Sequence, residues 1–120
     1  MNNTNAIVMA KGDSAASHHY WREKDAHVLA DIIDSPGPPV LIPDGTTITS
    51  TKKGILPISQ HLSQKGSTAM ILPGLPSASL ISIGQLCDDG CNMFLNEKIL
   101  LAVKDDKVVL EEIRNRTDNL

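Results

Sequence analysis

Apolar residues along this chain gather in short clusters separated by turn-forming residues, a spacing that predicts strands more than long helices. Ile7 to Ala10 is the first cluster, a short strand that Lys11-Gly12 stops. Asp13-Ser14-Ala15-Ala16-Ser17-His18-His19 is small and polar, the make-up of a loop. Trp21 to Ile33 mixes charges with Ala26, Val28, Leu29, Ile32 and Ile33 and suits a short helix or an irregular segment. Ser35-Pro36-Gly37-Pro38-Pro39 breaks the chain firmly. Val40-Leu41-Ile42 and Thr46-Thr47-Ile48-Thr49 then flank Pro43-Asp44-Gly45 as a hairpin rich in β-branched residues. Thr51-Lys52-Lys53-Gly54 reads as a second turn, leading into Ile55-Leu56-Pro57-Ile58. Gln60 to Thr68 is polar and expected to be exposed. Ala69-Met70-Ile71-Leu72 is the next apolar strand, ended by Pro73-Gly74 and Pro76.

The periodicity changes at Ser79. Leu80, Ile83 and Leu86 fall at i, i+3 and i+6, predicting a helix over Ser79 to Asp89 with Ser77 or Ser79 as its cap and Gly90 as its stop. The remainder reads as a β meander: Cys91 to Leu95, Lys98 to Val103 and Val108 to Ile113, with turns at Asn96-Glu97 and at Lys104 to Lys107. The polar ends, 1–6 and 114–120, read as loose tails around a domain of residues 7–113. The fold class is mostly β with one short helix near the C-terminal third.

Composition narrows the function. An apolar fraction of 41% over 120 residues allows one small core, and the apolar residues are nearly all aliphatic. Tyr20, Trp21 and Phe94 are too few for a base-stacking platform. Eleven Lys and Arg against fourteen Asp and Glu leave a net charge of −3 with no basic block, which argues against a nucleic-acid partner. Apolar runs are far shorter than the roughly 20 residues of a membrane helix, so no membrane partner is expected either. The default location is cytosolic or nuclear. Cys87 and Cys91 lack the further ligands of a structural zinc site and read as buried or partly buried thiols. No metal and no cofactor are expected.

The strand that runs into Asp13-Ser14 is where chemistry concentrates. An aspartic protease needs two facing carboxylates that share one proton, each on a tight loop of small residues. A turn-capping aspartate is the plainer alternative for Asp13. Adjacent histidines point in different directions, so His18-His19 reads as structural or solvent-facing. A Ser14 or Ser17 nucleophile lacks the Gly-x-Ser-x-Gly turn that would expose it.

Several motifs, in order, resemble the retropepsin-like aspartic protease domain of copia-type retrotransposon polyproteins. Asp13-Ser14-Ala15-Ala16-Ser17-His18-His19 is similar to the Asp-Ser-Gly-Ala-Ser/Thr-x-His stretch that opens that domain. Val40 to Thr46 resembles its Asp-Gly hairpin, Lys53-Gly54-Ile55-Leu56 its following glycine step, and Ile71-Leu72-Pro73-Gly74-Leu75 with Leu80 to Cys87 its "Pro-x-Leu … Leu-Leu-Ser-x-x-Gln-Leu-Cys" block. Gly90 to Phe94 resembles the next strand. The resemblance spans roughly residues 7–120.

It implies one half of a closed β-barrel acid protease, with Asp13, Ser14 and Ala15 as the active-site triplet. It also implies flaps from Thr49, Ser50, Thr51, Lys52, Lys53, Gly54 and Ile55 over an extended peptide substrate. One triplet in so short a chain requires a homodimer, each protomer supplying one Asp13. The activity implied is polyprotein processing in the cytoplasm or within virus-like particles, and the chain reads as a fragment of such a polyprotein or a short open reading frame left by an element. Ala15 departs from the family's glycine. If that position required positive φ, alanine would cost about 1 kcal/mol or more and impair catalysis, unless Gly12 absorbed the strain. An impaired protease fold that binds peptides as a dimer is therefore the alternative, and a small β domain unrelated to proteases is the third reading.

Overall fold

Eleven strands carry the architecture of the computed structural model, in which residues 10–42, 44–58, 60–76 and 78–113 are described. Ile7 to Met9, the two tails, Pro43 of the hairpin turn and Ser77 as a cap lie outside the described residues. The strands are β1 (Ala10–Asp13), β2 (His19–Arg22), β3 (Ala30–Asp34), β4 (Pro39–Leu41), β5 (Thr47–Thr49), β6 (Lys52–Ile55), β7 (Thr68–Leu72), β8 (Ser79–Ser82), β9 (Asn92–Leu95), β10 (Ile99–Lys104) and β11 (Lys107–Ile113). A 3-10 helix (Glu23–Val28) follows β2, and two short α-helices, α1 (Gln64–Ser67) and α2 (Ile83–Asp88), precede β7 and follow β8.

They form three sheets: six strands in the order β1-β8-β2-β7-β6-β3, three in the order β11-β10-β9, and the two-stranded hairpin β4-β5. The mostly-β expectation holds, with 48% of the described residues in strands and 16% in helices. The closed barrel does not: among the described residues β1 and β3 remain the edges of the large sheet.

Alternation across the large sheet divides the interior in two. Trp21, Ala69, Ile71 and Ile81 point to one face and pack with Leu86 of α2, Cys91, and Ala102 and Val109 of the three-stranded sheet. Ala69 and Leu86 are fully buried there, and complete burial of a leucine contributes about 2 kcal/mol. The opposite face carries a smaller cluster in which Ala16, Tyr20 and Leu72 meet Val40 and Ile48 of the hairpin.

The Asp-Gly hairpin and the C-terminal meander follow the sequence expectation closely. In the meander's second turn Asp105 and Asp106 both take positive φ (53° and 63°), as a two-residue turn between paired Lys104 and Lys107 demands. The helix prediction at Ser79 needs correction. Ser79–Ser82 is a strand in which only Leu80 is not fully buried, and the helix begins only at Ile83, capped by Ser82, whose Oγ accepts from Gln85 N–H at 3.0 Å. Gly90 (φ +95°) does end it. Its N–H donates to the Cys87 carbonyl while Cys91 N–H donates to that of Leu86, both at 3.0 Å.

Other segments also differ. Trp21 to Ile33 is a strand, a 3-10 helix and a second strand, not one helix. Gln60 to Thr68 contains α1 and buries Leu62, Gly66 and Ser67. Thr51 to Gly54 is no turn: Lys52–Ile55 pairs with β7 on one side and β3 on the other. No helix among the described residues is long and apolar enough to cross a membrane.

Candidate active site

β1 runs parallel to β8, and β8 runs antiparallel to β2, so β8 lies between the two strands that the Asp13–Ser17 loop connects. That loop must therefore cross the C-terminal end of β8. Asp13 pairs in register with Ser82, the last residue of β8. Ser82 binds the crossing chain: its Oγ donates to the Ala16 carbonyl at 2.7 Å, and its N–H donates to Nδ1 of His19 at 2.8 Å. The same Oγ caps α2, so one buried hydroxyl ties helix and loop together.

His19 is fully buried. Because Nδ1 accepts from an amide, the ring proton resides on Nε2, which donates to the Gly66 carbonyl at 2.7 Å. His19 N–H donates to Oε1 of Gln85 at 2.7 Å, and Gln85 Nε2 donates in turn to the carbonyls of Lys65 and Thr68. The loop is thus anchored to β8, α1 and α2 at once.

Burial lowers the His19 pKa below its ordinary 6.5, the Gly66 carbonyl opposes that, and the neighbouring His18 adds to it. The unfolded chain takes up this proton first, so the contribution of His19 is complete above about pH 6.5 and is lost as pH falls toward the folded value. The expected slope is at most about 1.4 kcal/mol per pH unit. Urea unfolding at about pH 7.5 and about pH 5.5 measures it, with His19→Gln expected to flatten the difference. An equal loss in the variant would place the titration elsewhere.

Asp13 is half-buried, and its Oδ1 accepts from Ala15 N–H at 2.8 Å, the turn-capping geometry of the plainer reading. Ser14 and Ala15 are exposed. Ala15 does not take positive φ; among the described non-glycine residues only Asp31, Asp105 and Asp106 do, so alanine here carries no left-handed strain. Upstream, Gly12 N–H donates to the Glu112 carboxylate at 3.2 and 3.3 Å. Burial pushes the Glu112 pKa up, with that amide pulling the other way. A Cβ on Gly12 would meet Leu100 Cδ2 at 3.0 Å and Glu112 Oε2 at 3.2 Å, so a larger residue here requires those two side-chain ends to shift.

Beside Asp13 opens a cleft of about 550 Å³, walled by the loop, by Tyr20, Met70 and Leu80 from the large sheet, by Leu75 from the connection between β7 and β8, and by Pro39 to Ile42 of the hairpin. Asp13 is the single carboxylate among its described lining residues. The Ser17 hydroxyl sits in the same cleft, 2.8 Å from Tyr20 Oη and 3.2 Å from His18 Nδ1.

The residues expected to form a flap are placed otherwise. Thr49 ends β5, Ser50 is buried, Thr51 N–H donates to the Ile71 carbonyl, and Lys52, Lys53, Gly54 and Ile55 form an interior strand. A Cβ on Gly54 would lie 3.0 Å from Leu29 Cβ, so at Gly54 this strand packs closely against the segment that enters β3. The cleft is walled instead by β4 of the β4-β5 hairpin. Cys87 is exposed and Cys91 buried, and among the described residues no three His, Cys, Asp or Glu side chains cluster as metal ligands.

Comparison of the chain with family models, curated proteins and solved structures returns no match.

Proposed function

We propose that the chain is one half of an aspartic-type endopeptidase that hydrolyses extended peptides as a homodimer, with Asp13 as its catalytic carboxylate. The observation that carries this reading is a lone carboxylate at the mouth of an apolar cleft, on a loop pinned from beneath by Ser82. The aspartic-peptidase mechanism needs two facing carboxylates, one ionised and one protonated, and each protomer supplies one. A twofold partner supplies the second, and two such groups in proximity share one proton. The ionised member takes a proton from water, the resulting hydroxide attacks the peptide carbonyl, and the protonated member delivers its proton toward the leaving amine. Ser14 and Ala15, small and exposed beside Asp13, leave room for a second copy of the loop. The ordered resemblance to copia-type protease domains supports a polyprotein as the substrate.

A second reading has its own observation. Asp13 Oδ1 is engaged by Ala15 N–H in a turn that a non-catalytic aspartate would also make, which fits a dimeric peptide-binding module.

Mixed dimers separate the two. Wild-type and Asp13→Asn chains, unfolded together in equal amounts and refolded, pair at random, leaving about a quarter of the dimers with two aspartates. Cleavage of a peptide library is expected to fall to about a quarter of the all-wild-type rate at the same total concentration. A fall to about half would mean that protomers act alone, and no cleavage by a folded wild-type dimer favours the binding module.

A further inference from the structure

The cleft beside Asp13 continues past Met70. A second cavity of about 430 Å³ shares Ser17, His18, Pro38 and Met70 with the first and extends to Ser50, Lys53, Lys65 and Asp88. The strand registers explain the common floor. Leu80 pairs with Tyr20, Tyr20 with Met70 and Met70 with Lys53, which places these four residues in one row across β8, β2, β7 and β6. Residues directly opposed on neighbouring strands share a face, and the alternate positions Trp21, Ile71 and Ile81 belong to the main core on the other side. Neighbouring strands are about 4.8 Å apart, so Leu80 to Lys53 covers about 14 Å, the reach of about four residues of extended peptide.

Chemistry changes along that row. The Leu80 end, with Val40 and Leu75 as walls, is apolar. At the other end stand two ammonium groups, Lys53 from β6 and Lys65 from α1, against the single carboxylate of Asp88. Neither lysine has an ion pair among the described residues. A half-buried lysine that lines a groove together with a second lysine, neither ion-paired among the described residues, favours an anionic guest.

We propose that the two cavities form one peptide channel with a defined polarity. Apolar side chains seat over Leu80, Tyr20 and Met70, and a Glu or Asp of the peptide, about four residues from the bond beside Asp13, is held by Lys53 and Lys65. This rests on the reading of the Asp13 cleft as the peptide site and adds the substrate class to it. In a twofold dimer both ends of the channel carry the lysine pair.

Labelled peptides of about eight residues, with a Leu-Leu centre and either Glu, Gln or Lys at the fourth position from it, test the channel by fluorescence anisotropy. The full Asp13→Asn chain is used, so that nothing is cut. Glu is expected to bind about fivefold more tightly than Gln, and Lys more weakly still. The preference should vanish at about 1 M salt. Lys53→Glu with Lys65→Glu should invert the order, and Lys65→Glu alone, on the exposed surface of α1, keeps the test open if the pair fails to fold. Equal affinity for the three peptides, no binding of any, or a Glu preference that survives both reversals overturns the channel. Wild-type cleavage of the same peptides without acidic preference overturns it too and leaves the Asp13 reading standing. A Glu preference without cleavage upholds the channel and removes the catalysis.

Discussion

Asp25→Ala is expected to destabilise the chain by about 3 kcal/mol, a large share of the stability of any small domain. Asp25 is only 6% exposed. Its Oδ2 accepts from Arg22 Nε at 2.8 Å and from Ser79 Oγ at 2.7 Å, and its Oδ1 accepts from Arg22 Nη2 at 3.2 Å. Ser79 Oγ in turn accepts from Arg22 N–H at 2.9 Å, so one carboxylate organises β2, β8 and the 3-10 helix between them. Alanine would remove the carboxylate that binds the guanidinium and leave the buried Ser79 hydroxyl without this acceptor. The Arg22 side chain is 20% exposed and can recover some water, which sets the loss at the lower end for a broken buried pair. Burial alone would raise the Asp25 pKa, but the Arg22 and Ser79 hydrogen bonds outweigh it and the net direction is down. The ionised form is therefore the stabilising one, and its contribution is lost as pH falls below the ordinary 3.8. Trp21 reports on the change, since its indole N–H donates to the Asp25 carbonyl at 2.8 Å. Urea unfolding followed by tryptophan fluorescence should show the midpoint collapse in Asp25→Ala and fall less in Asp25→Asn. A loss under about 1 kcal/mol would mean the pair behaves as a surface ion pair.

Ser82→Ala is expected to cost about 2–3 kcal/mol and, more tellingly, to release the Asp13 loop. The hydroxyl accepts from Gln85 N–H and donates to the Ala16 carbonyl, and Ser82 is fully buried. Loss of a cap costs about 1 kcal/mol, and an unsatisfied buried carbonyl adds a comparable amount or more. Local release separates this variant from a general core defect. Amide hydrogen exchange at Ala15, Ala16 and Ser17 should accelerate more than exchange in β10, which lies in the other sheet. Uniform acceleration everywhere would show that Ser82 only supports the core.

How much of this was legible in the sequence depended on whether a segment's partners lie close in the chain. The β4-β5 hairpin and the β9–β11 meander are local, and their turn residues announce them. β6 was not legible. Lys52-Lys53-Gly54 has the make-up of a turn, and only pairing with β7 and β3, both distant in sequence, makes it an interior strand. β8 was misread for a related reason. With three of its four residues buried and none exposed, it shows no alternation of apolar and polar positions, and Leu80 fell by chance at the spacing of the helix that follows. The Asp13 loop was legible because its small polar residues cluster in sequence. Its anchors were not, since His19, Ser82 and Gln85 meet only when β8 threads between β1 and β2. The floor of the cleft, Leu80, Tyr20, Met70 and Lys53, comes from four strands, and no sequence window contains it.

Asp13 as a catalytic carboxylate is tested most directly by comparing wild type and Asp13→Asn on the same peptide library under mildly acidic conditions. The account predicts cleavage by wild type, inhibited by pepstatin, and a loss of about a thousandfold in a variant that folds and dimerises as wild type does. Cleavage that persists undiminished in Asp13→Asn would contradict it.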